Sequence, residues 1–330
     1  TDRAQPALVR TWKQQGVLSG SRLIDGTLYI NTTPYYPYIP KINEELAKNY
    51  LPRFWDSDIG RIVPLRPGQV QIIQDTDTAT YCFMAAVDLS GGCQVAATLG
   101  GGDVLYSDLD NVYVAAVRQT DETTFTEIVR FTTTYPMHYT GRGRLPGAVS
   151  DSFCIDGKDG YLRVVTQFPA GEGNGLYVLD DGLAIAGGLT RIAPGQTIRS
   201  VRYEGDTAYL AVDGEDAAVI VVDLRDPAAP ALSGSLRLPG FSGKLYPLDG
   251  ARMLAVEEED AGVNLTLFDV SDPVRPRRTD KYLLRADSQR LYSEAAYNHH
   301  AVTYLADKQL CFMPFAADSG FSGVLVLDLS

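Results

Sequence analysis

Val221-Val222-Asp223-Leu224-Arg225-Asp226-Pro227 reappears in the chain as Leu267-Phe268-Asp269-Val270-Ser271-Asp272-Pro273. Worn copies stand at Val87-Asp88-Leu89-Ser90, at Val178-Leu179-Asp180 and at Leu327-Asp328-Leu329-Ser330. A second mark travels with the first: Leu145-Pro146-Gly147, Ala193-Pro194-Gly195 and Leu238-Pro239-Gly240. Gly195 follows Gly147 by 48 positions, and Gly240 follows Gly195 by 45. A period of ~40–50 residues filled with short strands is the mark of a β-propeller. The expected fold is all-β, a propeller of four-stranded antiparallel blades, about six of them in this chain.

Between the marks, apolar and polar residues alternate in short runs bounded by Gly, Pro, Asp and Asn, as half-buried strands require. The clearest copy predicts an innermost strand at 198–203 and a tight turn at Glu204-Gly205-Asp206. Strands at 207–212 and 218–224 follow, then an outer strand at 231–238 after the Asp226-Pro227 turn. Each proline falls where no ladder hydrogen bond is needed. Extended along the chain, the pattern predicts one propeller domain over 1–330 with blades at 17–102, 103–147, 148–195, 196–240, 241–288 and 289–330. The last has only three strands. Residues 1–16 read as the turn and outer strand it lacks, so placing Ala7–Trp12 beside the C-terminal strand completes a sixth blade and removes two open sheet edges.

At 330 residues and 45% hydrophobic content the chain has material for a large core. It carries 29 basic and 41 acidic residues, a net charge of −12, which argues against nucleic acid or an anionic membrane as partner. No apolar run reaches the length of a membrane-spanning helix. The chain opens on Thr1-Asp2-Arg3 without an initiator methionine or signal peptide and reads as a processed product or a piece of a longer chain. Cys82 and Cys93 fall on successive strands but out of register, roughly 20 Å apart at ~3.3 Å per residue, beyond bridging range. All four cysteines are expected as buried free thiols.

The run Ile192-Ala193-Pro194-Gly195-Gln196-Thr197-Ile198-Arg199-Ser200-Val201-Arg202-Tyr203, the Leu267–Pro273 phrase, Ser293-Glu294-Ala295 and Asn298-His299-His300 resemble the prokaryotic secreted proteins with a C-terminal β-propeller domain. The resemblance covers essentially the whole chain and is strongest from about residue 140. That family has no established function. Its members carry further sequence at both ends, including an export or anchor segment, so the resemblance implies an extracellular or cell-surface protein.

In a propeller, the loops joining second to third strands and blade to blade emerge on one face, where binding sites usually lie. Three features fall there. A long insertion, 34–67, carries Tyr35, Tyr36, Tyr38, Tyr50, Phe54 and Trp55 and a short helical stretch at 42–49. Connections of this length are lids or binding loops more often than filler. Its rings suit sugar or peptide recognition, or a self-packed cap. Asp213, Glu215 and Asp216 sit at one hairpin tip, and Glu257, Glu258, Glu259 and Asp260 at the equivalent tip of the next blade. Together they offer the oxygens that Ca²⁺ wants, without the spacing of a twelve-residue calcium loop; solvated tips are the plain alternative. His299 and His300, with Tyr297 and Glu294, precede the strand at 301–305. They serve either a channel-mouth ligand or a blade-to-blade lock. No nucleophile elbow, phosphate-cradling loop or paired-histidine zinc motif is present.

The reading that follows is an exported, monomeric, non-enzymatic scaffold presenting one face to a protein, peptide or glycan. The alternatives are an extracellular hydrolase or lyase using acids of that face, and a structural spacer.

Overall fold

A computed structural model of the chain describes residues 5, 7–34, 36, 48–73, 80–88, 91–134, 137–214, 216–260, 262–285 and 290–330. They form two compact units. The first is 1–152 with the turn Gly182–Ala184; the second is 153–181 and 185–330.

The first unit begins with β1 (Trp12–Gln14), β2 (Val17–Ile24), β3 (Thr27–Thr33), β4 (Arg53–Asp56), β5 (Ile62–Pro64), β6 (Val70–Ile72), β7 (Tyr81–Asp88) and β8 (Cys93–Leu99). It continues with β9 (Val104–Ser107), β10 (Asn111–Gln119), β11 (Thr124–Thr132) and β12 (Tyr139–Pro146). β9 to β12 form a four-stranded antiparallel sheet. β2, β3, β7 and β8 form another, extended by β6, which lies parallel to β8. The two sheets pack through Tyr29, Cys82, Met84 and Ala86 on one side and Val112, Val114, Ala116, Val129 and Phe131 on the other.

The second unit repeats one plan. β13 (Ile155–Lys158), β14 (Tyr161–Gln167), β15 (Asn174–Leu179) and β16 (Ile185–Ile192) make one sheet. β17 (Ile198–Glu204), β18 (Thr207–Val212), β19 (Ala218–Asp223) and β20 (Ala231–Arg237) make the next. β21 (Lys244–Asp249), β22 (Arg252–Glu259), β23 (Gly262–Asp269) and β24 (Arg277–Leu284) follow. In the last sheet β25 (Leu291–Tyr292) and β26 (Thr303–Leu305) flank one side of β27 (Leu310–Ala317), and β28 (Ser322–Asp328) the other. The first strands of neighbouring sheets approach each other: Ser200 Oγ accepts from Leu245 N at 3.1 Å, and Lys244 Nζ donates to Arg199 O at 2.6 Å.

The repeated phrases are backbone devices. Asp223, Asp269 and Asp328 each accept, through Oδ1, the amide two residues on at 3.0 Å, and the first two turn the chain out of the third strand of their sheets. Asp226 and Asp272 do the same for Ala228 and Val274, with proline setting φ between them. Gly147, Gly195 and Gly240 hold φ of 85°, 80° and 80°, the left-handed conformation that a Pro-Gly turn demands.

A third mark, invisible as a motif, closes β12 against the turn Gly182–Ala184 inside the first unit and locks sheet to sheet inside the second. Gly143, Gly187 and Gly234 lie on the fourth strands β12, β16 and β20. A Cβ on them would stand 2.4 Å from Leu183 O, 2.4 Å from Pro227 O and 2.6 Å from Val274 O. Each contacted carbonyl lies 40 residues downstream, in the turn after the third strand of the next sheet. On β24 the equivalent position holds Asp280, which is exposed.

The expected pairing of Ala7–Trp12 with the C-terminal strand is corrected. Trp12, Lys13 and Gln14 pair with Asp56, Trp55 and Phe54 of the insertion, while β28 pairs with β27. The cause is an ion pair. Arg10 Nε and Nη2 meet Asp56 Oδ1 and Oδ2 at 3.0 and 2.5 Å, and Nη1 donates to Asp88 O at 2.8 Å. The ring of Trp12 stacks on Phe54 at 4.7 Å, holding the same segment down.

Candidate functional site

The connection from β3 to β7 runs beyond the expected 34–67 and includes β6; its strand β4 separates two hollows of the first unit. On one side Trp55, half-buried, lines an open hollow with Lys13, Gln14, Gln15, Asn49, Arg53 and Ile62. Register puts Lys13 and Ile62 on either side of Trp55, and Lys13 Nζ stands 5.2 Å over its ring. On the other side is a more enclosed hollow of about 380 Å³. Its apolar wall is Phe54, Val63, Val95, Ala96, Phe131 and Met137; its polar rim is Arg66, Gln69, Gln71, Gln94, His138 and Tyr139.

The wall is held by hydrogen bonds that sequence patterns do not announce. Gln69 accepts from Arg66 N at 2.8 Å and donates to Val95 O at 3.2 Å. Gln94 accepts the amide of Met137. Arg142 reaches across from β12 to Ile72 O at 3.4 Å and to the Tyr139 hydroxyl at 3.3 Å. Cys93 sits at the edge, half-buried rather than buried as expected. Burial and then the Asp56 carboxylate push its thiol pKa up. All four cysteines are free.

The insertion rings divide between core and surface. Tyr36 and Phe54 are core residues; for Tyr36, which lines neither hollow, this corrects the expected role as a ligand-facing ring, while Phe54 also lines both. They pack with Leu65, Tyr81, Phe83 and Val87, and the Tyr36 hydroxyl donates to Gln15 Oε1 at 2.8 Å and Leu51 O at 3.2 Å. Burial raises the pKa of that hydroxyl. Replacing Tyr36 by Phe keeps the ring and orphans two acceptors, so the urea midpoint falls by an amount equivalent to about 1 kcal/mol. Tyr35, Tyr38 and most of the expected helical stretch lie outside the described residues; Lys48–Tyr50 is a short 3₁₀ turn.

In the second unit, Arg202 is buried, its guanidinium carbon 4.3 Å from the centre of the Phe153 ring and 5.8 Å from that of Tyr246. It donates through Nη2 to Nδ1 of His299, whose ring lies 4.2 Å from Phe153. His299 is therefore built into this stack, while His300 is exposed, 5.4 Å from the same ring. The acids take partners of their own chain. Asp213 pairs with Arg199 and accepts from Thr197 N at 3.1 Å, and Asp216 pairs with Arg237. Glu257 and Glu259 both accept from Asn264 Nδ2, at 3.2 and 2.8 Å, and Glu258 accepts from Ser293 N at 2.9 Å. Burial, and then Glu259, push the Glu257 pKa up. Asp260 is exposed and Glu215 lies outside the described residues. Among the described residues no three His, Cys, Asp or Glu side chains are grouped to hold a metal ion, and no helix is long and apolar enough to cross a membrane.

The β-propeller domain family matches residues 1–330. The chain belongs to that family. This propeller is 36% identical over 183 residues to an uncharacterised protein of Archaeoglobus fulgidus, covering 55% of the chain and 28% of the relative. It is 32% identical over 178 residues to one of Methanocaldococcus jannaschii, covering 52% and 28%. The propeller thus matches about a quarter of the length of each. Among solved structures, a protein from Lactobacillus plantarum aligns with a TM-score of 0.47 at 14% identity, over 76% of this chain and 79% of that one. The family matched is that of the domain alone; export and a C-terminal position are not part of it.

Proposed function

We propose that this propeller is a non-enzymatic binding module, exported and acting at the cell surface. It holds a peptide or glycan through the insertion side of its first unit. The observation that carries the proposal is the hollow of about 380 Å³ beside β4. Its size falls in the roughly 300–1,000 Å³ of small-ligand sites, and its apolar wall with a few convergent polar groups is their usual composition. A sugar ring or one amino-acid side chain lies against Phe131, Val95 and Met137 while Gln71, Arg66 and His138 meet its polar edge.

Gly68 stands on the rim in the 3₁₀ turn Pro67–Gln69, with nothing within 4 Å of where a Cβ would go. Gly68→Trp therefore adds a large ring at the rim of the hollow with no clash at its Cβ. Binders selected from glycan and peptide arrays are expected to lose at least tenfold in affinity for the Gly68→Trp protein, with the melting temperature unchanged. Arrays that yield no binder, or binders indifferent to Gly68→Trp, refute the hollow as the site. Export is tested separately, by fractionating the native host and probing for the chain.

A further inference from the structure

We infer that Arg118 is an anion receptor of the first unit, taking the paired oxygens of a carboxylate or phosphate group. Arg118 lies one residue before the end of β10, on the second strand of its sheet. It faces the blade-to-blade connection Gly100–Asp103, so it belongs to the same kind of loop end as the insertion. Its Nη1 donates to Val117 O at 2.7 Å. Its Nε and Nη2 are buried, and neither has a hydrogen-bond partner among the described residues.

Those two atoms form one edge of the guanidinium, the edge that meets a carboxylate or phosphate with two parallel hydrogen bonds. Arg118 as a whole is half-buried, but this edge is covered, and leaving covered donors without an acceptor is unfavourable, which calls for an anion there. Asp103 of the same connection does not close this edge; its Oδ2 accepts the amide of Val117 at 2.8 Å. Space is present as well. Gly101 holds φ of +107°, and the point where its Cβ would stand lies 3.4 Å from Nη2, 3.7 Å from Nη1 and 3.9 Å from Asp103 Oδ2. The positive φ keeps this position a glycine, so the room of one side-chain carbon stays open against the Nη1 and Nη2 side of the guanidinium. With a net charge of −12 the chain repels anions in general, so a saturable anion response is specific to such a point. The inference stands on Arg118 and Gly101, independent of the hollow beside β4.

The test follows arginine Nε–H signals by ¹H–¹⁵N NMR. Sodium phosphate or sodium acetate is titrated in at constant ionic strength, balanced with sodium chloride. The signal missing from the Arg118→Lys protein is Arg118. It is expected to shift saturably in the wild-type chain, and the same anion is expected to raise the melting temperature of wild type but not of Arg118→Lys. A response to phosphate alone assigns a phosphate group; a response to acetate assigns a carboxylate. An Arg118 signal that ignores both anions overturns the inference, and so does equal anion stabilisation of wild type and Arg118→Lys, an adventitious effect. Asp75 and Asp77, shortly before Thr80 in sequence, lie outside the described residues. A shift of the Arg118 signal on Asp75→Asn/Asp77→Asn substitution, with no anion added, assigns the fork to the chain itself and overturns the inference too. Where Arg118→Lys fails to fold, sequential resonance assignment of the wild-type chain identifies the Arg118 signal instead, and the titration still decides.

Discussion

Replacing Arg10 by Met lowers the stability of the first unit by about 3–5 kcal/mol, read as a shift of the urea midpoint. Both partners of its ion pair are withdrawn from water, with side-chain exposures of 6% for Arg10 and 1% for Asp56. Removing one leaves a buried charge without compensation, the costly case. The loss also removes the Nη1 hydrogen bonds to the Asp88 and Gly92 carbonyls. Arg10→Met combined with Asp56→Leu recovers much of the loss, because an apolar pair of similar volume needs no counter-charge. A double variant as unstable as Arg10→Met refutes the ion-pair account and assigns the effect to packing alone.

The same pair sets an acid limit. Its hydrogen bonds with Arg10 hold the Asp56 carboxyl below the ordinary value of 3.8. A carboxyl depressed on folding contributes stability that is complete above its unfolded pKa and fades as pH falls through its folded pKa. The difference in urea midpoint between wild type and Arg10→Met is therefore full at neutral pH and shrinks below about pH 4. A difference that stays constant down to pH 2 contradicts this.

Gly187→Ala combined with Gly234→Ala lowers stability by about 2–6 kcal/mol, since each methyl group is an overpacking worth about 1–3 kcal/mol and the sites are separate enough to add. Neither glycine has a positive φ, so the effect is steric: the new carbon meets a backbone carbonyl 2.4 or 2.6 Å away. Asp280→Ala, at the equivalent place on β24, is the control and is expected to change the melting temperature little. Equal effects at all three positions would show that loss of strand geometry, not the approaching turn, is responsible.

The strands were legible because their boundaries are fixed by backbone chemistry that particular residues carry. Asp223 and Asp269 announce a turn, Pro-Gly announces a left-handed residue, and alternation announces a half-buried strand. The β18 strand falls at 207–212 as read. The N-terminal segment was not legible, because Arg10 finds its partner 46 residues away inside a connection that repeats nothing. The alternation of Ala7–Trp12 fits any open edge, and it does not reveal that Asp56 is waiting beside another. The insertion rings failed for a related reason: composition identifies Tyr36, Phe54 and Trp55 as equals, while register alone sends Phe54 inward and Trp55 outward. The hollow was out of reach, since Gln71, Gln94 and His138 come from three separate strands or loops with no common spacing.

The glycine contacts also explain why the repeats are so worn in sequence and so regular in space. A seam between neighbouring sheets made of main-chain atoms on one side and an absent side chain on the other asks almost nothing of residue identity. Mutational drift can rewrite the rest of a repeat, provided that one hydrogen atom stays where a methyl group would be. At this one contact the copies are interchangeable: a fourth strand that carries the gap fits the turn that follows the third strand of its neighbour.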